Sequence, residues 1–418
     1  MQLYIPNPDE WTQRTRITLT FKLGDADIYH RNMTVPGIGG LRFVRQLSWS
    51  TMGIGLAREL NASGINYRAH NIANAIEALG CKLEFRNLNE GQEYKYLGIL
   101  AFKRNPKAFL FKELSKDRFY VQNTYRQNVV SALADLEICK GSTRFDQMQL
   151  SNVGNALVEA FGNTQIRYRK LGNGKSSVGS VHDFLNDWVR GNNYDPLSRE
   201  DLDFYYAIGP ATPSKVECNI LLKRLETPVK IAYDPNRRIN LIRIMENLNN
   251  ATEEELCEAI KRAGHKDHYK QIKDAKRFNA MRNSAIALLL ACTKFVKSRG
   301  AVEVLVSECC KDNLVNETFL KLKNACLRYR NNLHKAEFTP NSSKRFAEKI
   351  GSSTVEEGVK FLVLQENNIL DCVNNKLRPL NLFHNFLNNF ENTKQAEELS
   401  RITQWNTLWN DIRGGLNG

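Results

Sequence analysis

The sequence predicts a mainly α fold with short β-hairpins, an α+β chain whose C-terminal half is a helical domain. Three observations carry this. Apolar residues recur at three- and four-residue steps over most of the chain, most clearly from residue 239 onward. Short period-two runs bounded by Gly, Asn and Ser punctuate the N-terminal half. The 418 residues, 42% hydrophobic and 25% charged, suffice for a substantial core and fit two or three domains.

Residues 16–34 alternate, with Ile17, Leu19 and Phe21 before a Gly24-Asp25 turn and Ile28-Tyr29-His30 after it, which predicts a hairpin. Gly37-Ile38-Gly39-Gly40 leads into a helix with Leu41, Val44, Leu47, Met52, Leu56 and Leu60 inward, ended by Ser63-Gly64. A shorter helix over residues 71–79 stops at Gly80, and residues 81–85 alternate as a strand. Residues 87–91 read as a turn and residues 94–101 as a second strand. A similar order follows: a basic helical stretch over 105–118, a helix over 123–136, a turn at Lys140-Gly141-Ser142 and a strand over 144–150. Ser151-Asn152 then caps a helix running through Leu157 and Val158 to Phe161. One offset of 57 residues lays Asn71, Ile72, Ala75, Ile76 and Leu79 on Asn128, Val129, Ala132, Leu133 and Leu136, a candidate internal repeat.

Residues 163–216 are broken repeatedly by Gly, Asn and Pro around one amphipathic helix, 181–189. Thr252 with Glu255 makes a capping box. A long helix spans about 267–298, closed by Gly300, and further helices are expected over 301–311, 313–334, 354–374, 379–390 and 392–412. The domains expected are 1–103, 104–162, an irregular connection over 163–238, and a helical domain over 239–418.

The stretch Ala132-Leu133-Ala134-Asp135-Leu136-Glu137-Ile138, then Arg144-Phe145, then Leu150-Ser151-x-x-Gly154-x-x-Leu157 resembles the winged-helix DNA-binding superfamily. That pattern is a leucine-rich recognition-helix end, a charged wing, and a "Leu-Thr-x-x-Gly-x-x-Leu" entry to the closing helix, here with Ser for Thr. The resemblance covers about residues 105–162 and, more loosely, 41–101, so it implies tandem winged-helix-like units in the N-terminal half. It implies that Asn123, Tyr125, Arg126 and Gln127 enter the major groove, where Asn, Arg and Gln make bidentate contacts to base edges. Lys140 and Arg144 would be the wing, and the first copy offers Arg68 and Asn71. The alternative is a solvated helix start, where polar residues belong anyway. Winged helices also serve as protein–protein modules.

Charge supports a polyanionic partner. Lys and Arg number 59 against 45 Asp and Glu, a net +14. Residues 261–299 hold eleven of these cations against Asp267 and Asp274. Lys266, Lys270, Lys273 and Arg277 recur at helical steps and share a face. A solvated face is the usual meaning of such a run, but one sign this dominant favours nucleic acid. These faces lack the apolar wedge of a membrane-surface helix, so no membrane role is expected.

The first ten residues carry neither a basic nor an apolar signal region, and the longest apolar run, 285–292, is far short of the roughly 20 residues of a membrane span. Nine scattered cysteines without a Cys-x-x-Cys pair fit a reducing compartment, and a cytoplasmic protein is expected. Cys309-Cys310 reads as two core thiols. Gly172-Asn173-Gly174-Lys175-Ser176 lacks the first Gly of a phosphate loop, since position 169 is Arg. Gly37-x-Gly39-Gly40 is weak evidence for a phosphate cradle. His265-x-x-His268 near Cys257 lacks a fourth ligand at metal spacing. No metal and no cofactor are expected.

One catalytic pattern stands apart. Arg328-Tyr329-Arg330-Asn331-Asn332-Leu333-His334 is similar to the Arg-x(4–6)-His element of HEPN ribonucleases, in which Arg and His attack the RNA backbone. Arg328 lacks the favoured polar neighbour, and Arg330 is too close to His334. Both types also suit a helix C-terminus. The reading is therefore a non-catalytic nucleic-acid-binding protein, double-stranded DNA favoured over RNA, with protein partners through the C-terminal helices. A metal-independent HEPN-like ribonuclease and a non-enzymatic subunit of a bacterial phage-defence complex are the alternatives.

Overall fold

The computed structural model describes residues 19–87, 99–104, 109–116, 119–121, 124–169, 176–191, 202–210, 213–229, 234–248, 251–300, 303–384, 386–387 and 401–417. It is mainly helical with small antiparallel sheets, the α+β class read from the sequence. The chain divides into two units, each drawn from separated stretches: Val35–Leu256 with Arg401–Gly418, and Met1–Thr34 with Cys257–Ser400. The division falls within the helix Glu253–Arg262.

The first unit is built on the helix Arg45–Ala62, which is buried along nearly its whole length. Several of its polar residues are hydrogen-bonded inside. The Arg45 guanidinium donates to the Ala207 carbonyl and lies 3.6 Å from the Glu217 carboxylate. Ser48 donates to Glu217 at 2.5 Å and the Trp49 indole to the Ile208 carbonyl at 2.9 Å. The helices Ala69–Asn87, Tyr125–Asp135 and Asn152–Gly162 pack on it. Between the last two lies a hairpin, Cys139–Gly141 against Met148–Leu150. The Leu-Ser-x-x-Gly-x-x-Leu motif has a separate reason at each position. Ser151 accepts the Gly154 N–H at 3.2 Å and donates to the Ile138 carbonyl at 2.9 Å. A Cβ on Gly154 would come 2.4 Å from that carbonyl, and Leu157 is fully buried.

The second unit is built on the helix Lys266–Arg299, closed by Gly300 at φ 58° as the sequence predicts. Phe278, Met281, Ala285, Leu288 and Leu289 are its core face. The helices Gly24–Thr34 and Asn313–Asn331 pack on it. A three-stranded antiparallel sheet runs in the order Val304–Leu305, Lys376–Pro379, Leu370–Val373. The capping box of Thr252 and Glu255 is present: the Glu255 N–H reaches Thr252 Oγ1 at 3.2 Å and the Thr252 N–H reaches Glu255 Oε2 at 2.7 Å.

Several expected elements are corrected. Residues 24–34 are helix, not the second strand of a hairpin: Ala26, His30 and Met33 turn inward at helical spacing while Ile28 is 62% exposed. Residues 81–85 continue the helix Ala69–Asn87 rather than forming a strand. Their alternation is deceptive because the polar members are buried too, Lys82 against the Phe109 ring at 4.3 Å. Gly80 is not a stop signal. It admits the Trp49 ring, which a Cβ would meet at 2.6 Å. Residues 99–104 are helical, and of the basic stretch 105–118 the described helix is only Phe111–Leu114. A 3-10 turn, Phe145–Gln147, precedes the short strand Met148–Leu150. In the helical half, Val304–Leu305 and Leu370–Val373 are strands where helix was expected, and the strand Lys376–Pro379 fills the gap between two expected helices and takes the first residue of the second. The broken segment 163–216 holds a hairpin, Gln165–Arg169 with Ser176–Ser180, besides the expected helix Val181–Val189. The turn at 88–91, the expected strand over 94–98 and the glycine-rich residues 172–175 lie outside the described residues.

Candidate nucleic-acid interface

The long helix carries the basic row as read from the sequence. Lys266, Lys270 and Lys273 are exposed, and Arg277 is half-buried one turn further on. Lys270, Lys273 and Arg277 line a cleft of about 460 Å³ whose opposite side is Asn332, Leu333 and His334. Two features distant in the sequence, the basic helix face and the histidine of the Arg/His pattern, therefore meet at one place.

Two carboxylates of the long helix hold the cleft's far side. Asp274 is buried, and its Oδ1 accepts from Arg277 Nη1 at 2.8 Å while its Oδ2 accepts the backbone N–H of His334 at 2.7 Å. Burial raises the Asp274 carboxyl above its ordinary range, against the pull of the His334 N–H and the Arg277 charge. The same Arg277 nitrogen donates to the Asn332 carbonyl at 3.1 Å. Two turns earlier, Asp267 pairs with Lys335 at 2.9 Å and lies 3.2 Å from His334 Nε2. The Lys335 hydrogen bond leads in holding Asp267 below its ordinary value. Lys335 itself sits at φ 51°, the left-handed turn that swings the chain back onto the long helix.

This arrangement is an electropositive recess with fixed walls. Lys273 lies over the Tyr269 ring at 5.0 Å, and Lys261 over the same ring at 5.4 Å. With lysines against it the ring is a poor stacking platform, so the chemistry the cleft offers is that of its cations. Among the described residues neither Lys266 nor Lys270 has a hydrogen-bonded or ion-pair partner within the protein for its ammonium group.

Arg328 and Arg330 are exposed and do not line the cleft that contains His334. The residue between them explains their placement: Tyr329 is buried and bonds His30 and Ser343, each at 2.9 Å, so its neighbours face outward. The arginine that shares the cleft with His334 is Arg277.

In the other unit the expected DNA-reading residues separate into two groups. Arg68, Gln127, Lys140 and Arg144 are exposed. Tyr125 is in the core at 2% exposure. Arg126 is engaged within the fold: its Nε donates to Asn74 at 2.7 Å, and its guanidinium lies over Phe145 at 4.9 Å. Asn71 is half-buried, and Asn123 lies outside the described residues. Buried Glu77 caps the helix Tyr125–Asp135, accepting the backbone N–H groups of Tyr125 at 2.6 Å and Arg126 at 2.9 Å, and the Tyr120 hydroxyl. Desolvation pushes Glu77 up to about 7. Gly39 and Gly40 pack on that helix, with the Gly40 N–H donating to the Asn128 carbonyl at 2.7 Å, so this loop is not an open phosphate cradle.

His268 is buried and its Nε2 bonds the Thr34 carbonyl at 2.7 Å. Among the described residues no group of three or more His, Cys, Asp or Glu is placed to hold a metal ion, and no helix is long and apolar enough to cross a membrane. Sequence reasoning missed Asp267, Asp274 and Tyr269 as parts of the site. The available signal was the two-turn spacing of the two acids along an otherwise basic face. The chain matches no family model, no curated protein and no solved structure.

Proposed function

We propose that the chain is a non-catalytic nucleic-acid-binding protein that grips the phosphate backbone through the basic row of the long helix. The observation that carries this reading is the exposed line of Lys266, Lys270 and Lys273 beside a recess floored by Arg277. Lysines that serve only solubility need no common recess, and a cleft with cations on one wall and the pinned loop 332–335 on the other suits a strand of phosphates. The net +14 adds long-range attraction to any polyanion.

Double-stranded DNA is the favoured partner. The support is the winged-helix resemblance together with the order helix, hairpin, helix over Tyr125–Asp135, Cys139–Leu150 and Asn152–Gly162, with Lys140 and Arg144 exposed on the hairpin. Because Tyr125 and Arg126 are used inside the fold, the hairpin rather than the helix start is the contacting element in this reading. Binding of a labelled duplex and of an equal-length RNA, titrated with salt, tests the proposal. Tight binding at low salt that weakens steeply as salt rises supports it, and affinity that is absent or indifferent to salt overturns it.

A further inference from the structure

We propose that the groove between the helix Arg45–Ala62 and the strand Met148–Leu150 is a second binding site, which takes one unpaired nucleotide: a nucleobase together with its phosphate. It uses none of the residues of the basic cleft, so it stands or falls separately from the backbone-gripping reading.

The groove encloses about 680 Å³, within the span of small-molecule pockets, roughly 300–1,000 Å³. Its floor is apolar: Ile54, Ala57 and Met148 are buried there, with Leu150 half-buried beside them. Its rim is polar. Arg58 and Arg68 are exposed, and among the described residues neither guanidinium has a partner within the protein. Asn66 and Gln149 are exposed at the same rim and offer paired donors and acceptors, the side-chain chemistry that reads base edges.

The walls are held in advance. Tyr67 meets Phe111 edge-on at 5.3 Å, and its backbone N–H donates to Asn61 Oδ1 at 3.1 Å, which fixes an aromatic side wall. Asp146 is the one carboxylate among the described lining residues. His70 engages it twice, through its backbone N–H at 2.9 Å and its ring Nδ1 at 2.7 Å. That pair ties the hairpin to the start of the helix Ala69–Asn87, so the two sides of the groove are braced without consuming either arginine. An apolar floor fits the face of a base, amides fit its edge, and two uncompensated guanidinia fit a phosphate.

The same chemistry arrives from two sources, a free mononucleotide or an unpaired nucleotide in a strand. Calorimetric titration of the full chain with adenosine monophosphate, inorganic phosphate, a five-residue single strand and a blunt duplex separates them. The expected result is saturable one-to-one binding of the mononucleotide or the single strand, with phosphate alone weaker by at least about tenfold. The paired substitution Arg58→Ala and Arg68→Ala, both at exposed positions, lowers that affinity by about tenfold or more while the far-ultraviolet circular dichroism is unchanged. Binding by the mononucleotide identifies a free-nucleotide site, and binding by the strand alone identifies a strand site. No heat from either, equal affinity for phosphate alone, or indifference to loss of both arginines overturns the proposal. Duplex affinity in the same series reports on the basic cleft, so the two failures are distinguishable.

Discussion

Asp274 Oδ2 accepts the backbone N–H of His334 at 2.7 Å, joining the third turn of the long helix to a loop sixty residues later. Its other oxygen takes Arg277, so one buried carboxylate fixes both a cleft cation and the cleft's far wall. Removing it leaves a backbone donor and a guanidinium without their acceptor. Asp274→Ala is expected to cost about 2–4 kcal/mol in urea unfolding. Asp274→Asn costs less, because an amide oxygen still accepts the His334 N–H. Equal losses from the two substitutions would move the stabilisation to the Arg277 charge pair.

Arg126→Ala is expected to lower stability by about 1–2 kcal/mol, through loss of the Asn74 hydrogen bond and the Phe145 contact. Its effect on the ranking of DNA sequences is expected to be nil. Site selection from a random duplex pool, beside chemical denaturation, checks both halves. Relaxed preference at unchanged stability would make Arg126 a base-reading residue after all.

The core was more legible in the sequence than the connections. The helices 266–299 and 313–331 are long and periodic, and the core face of the first is the one spacing picks out, whereas the helix 45–62 is buried on nearly every side and spacing picks out only part of what it buries. Failures came where tertiary burial overrode local pattern. Lys82 and Glu84 are buried inside the helix Ala69–Asn87, so polar–apolar alternation there reports nothing about a strand. Short strands such as Val304–Leu305 pair with residues more than seventy positions away, which no local window contains. In the candidate site the basic row was readable because helical spacing is local. The recess was not, since it depends on Asp267 and Asp274 catching a loop from another helix. Nor does local composition show that Met1–Thr34 belongs with Cys257–Ser400.

Stability should respond to pH with opposite sign at two buried groups. Burial lowers His30 to about 3. Between its ordinary pKa near 6.5 and that value, the unfolded chain takes up a proton that the folded chain does not, so this contribution is complete above about 6.5 and is lost as pH falls. Glu77, raised to about 7, works the other way: the folded chain keeps its proton while the unfolded chain releases it, so stability falls as pH rises from about 4.5 to 7. Urea midpoints measured across pH 4.5–7 for His30→Gln and Glu77→Gln check this. The first should flatten a slope rising with pH and the second a slope falling with it. The same sign for both would contradict the assignment.

RNA incubated with the protein in EDTA is expected to remain intact, with His334→Ala indistinguishable from the unsubstituted chain. Arg328 and Arg330 lie outside the cleft of His334, and the imidazole faces Asp267. Cleavage that persists in EDTA and disappears in His334→Ala would establish a ribonuclease built around that histidine.

The most direct test of the central claim is the salt dependence of duplex binding, measured for the unsubstituted chain and for Lys270→Ala with Lys273→Ala. Neutralising about five phosphates predicts a slope of log affinity on log salt near −4 to −5, about −0.9 per phosphate. If the basic row grips the backbone, the double substitution weakens all sequences alike and makes the slope shallower by about 1–2. An unchanged slope and affinity would contradict the account.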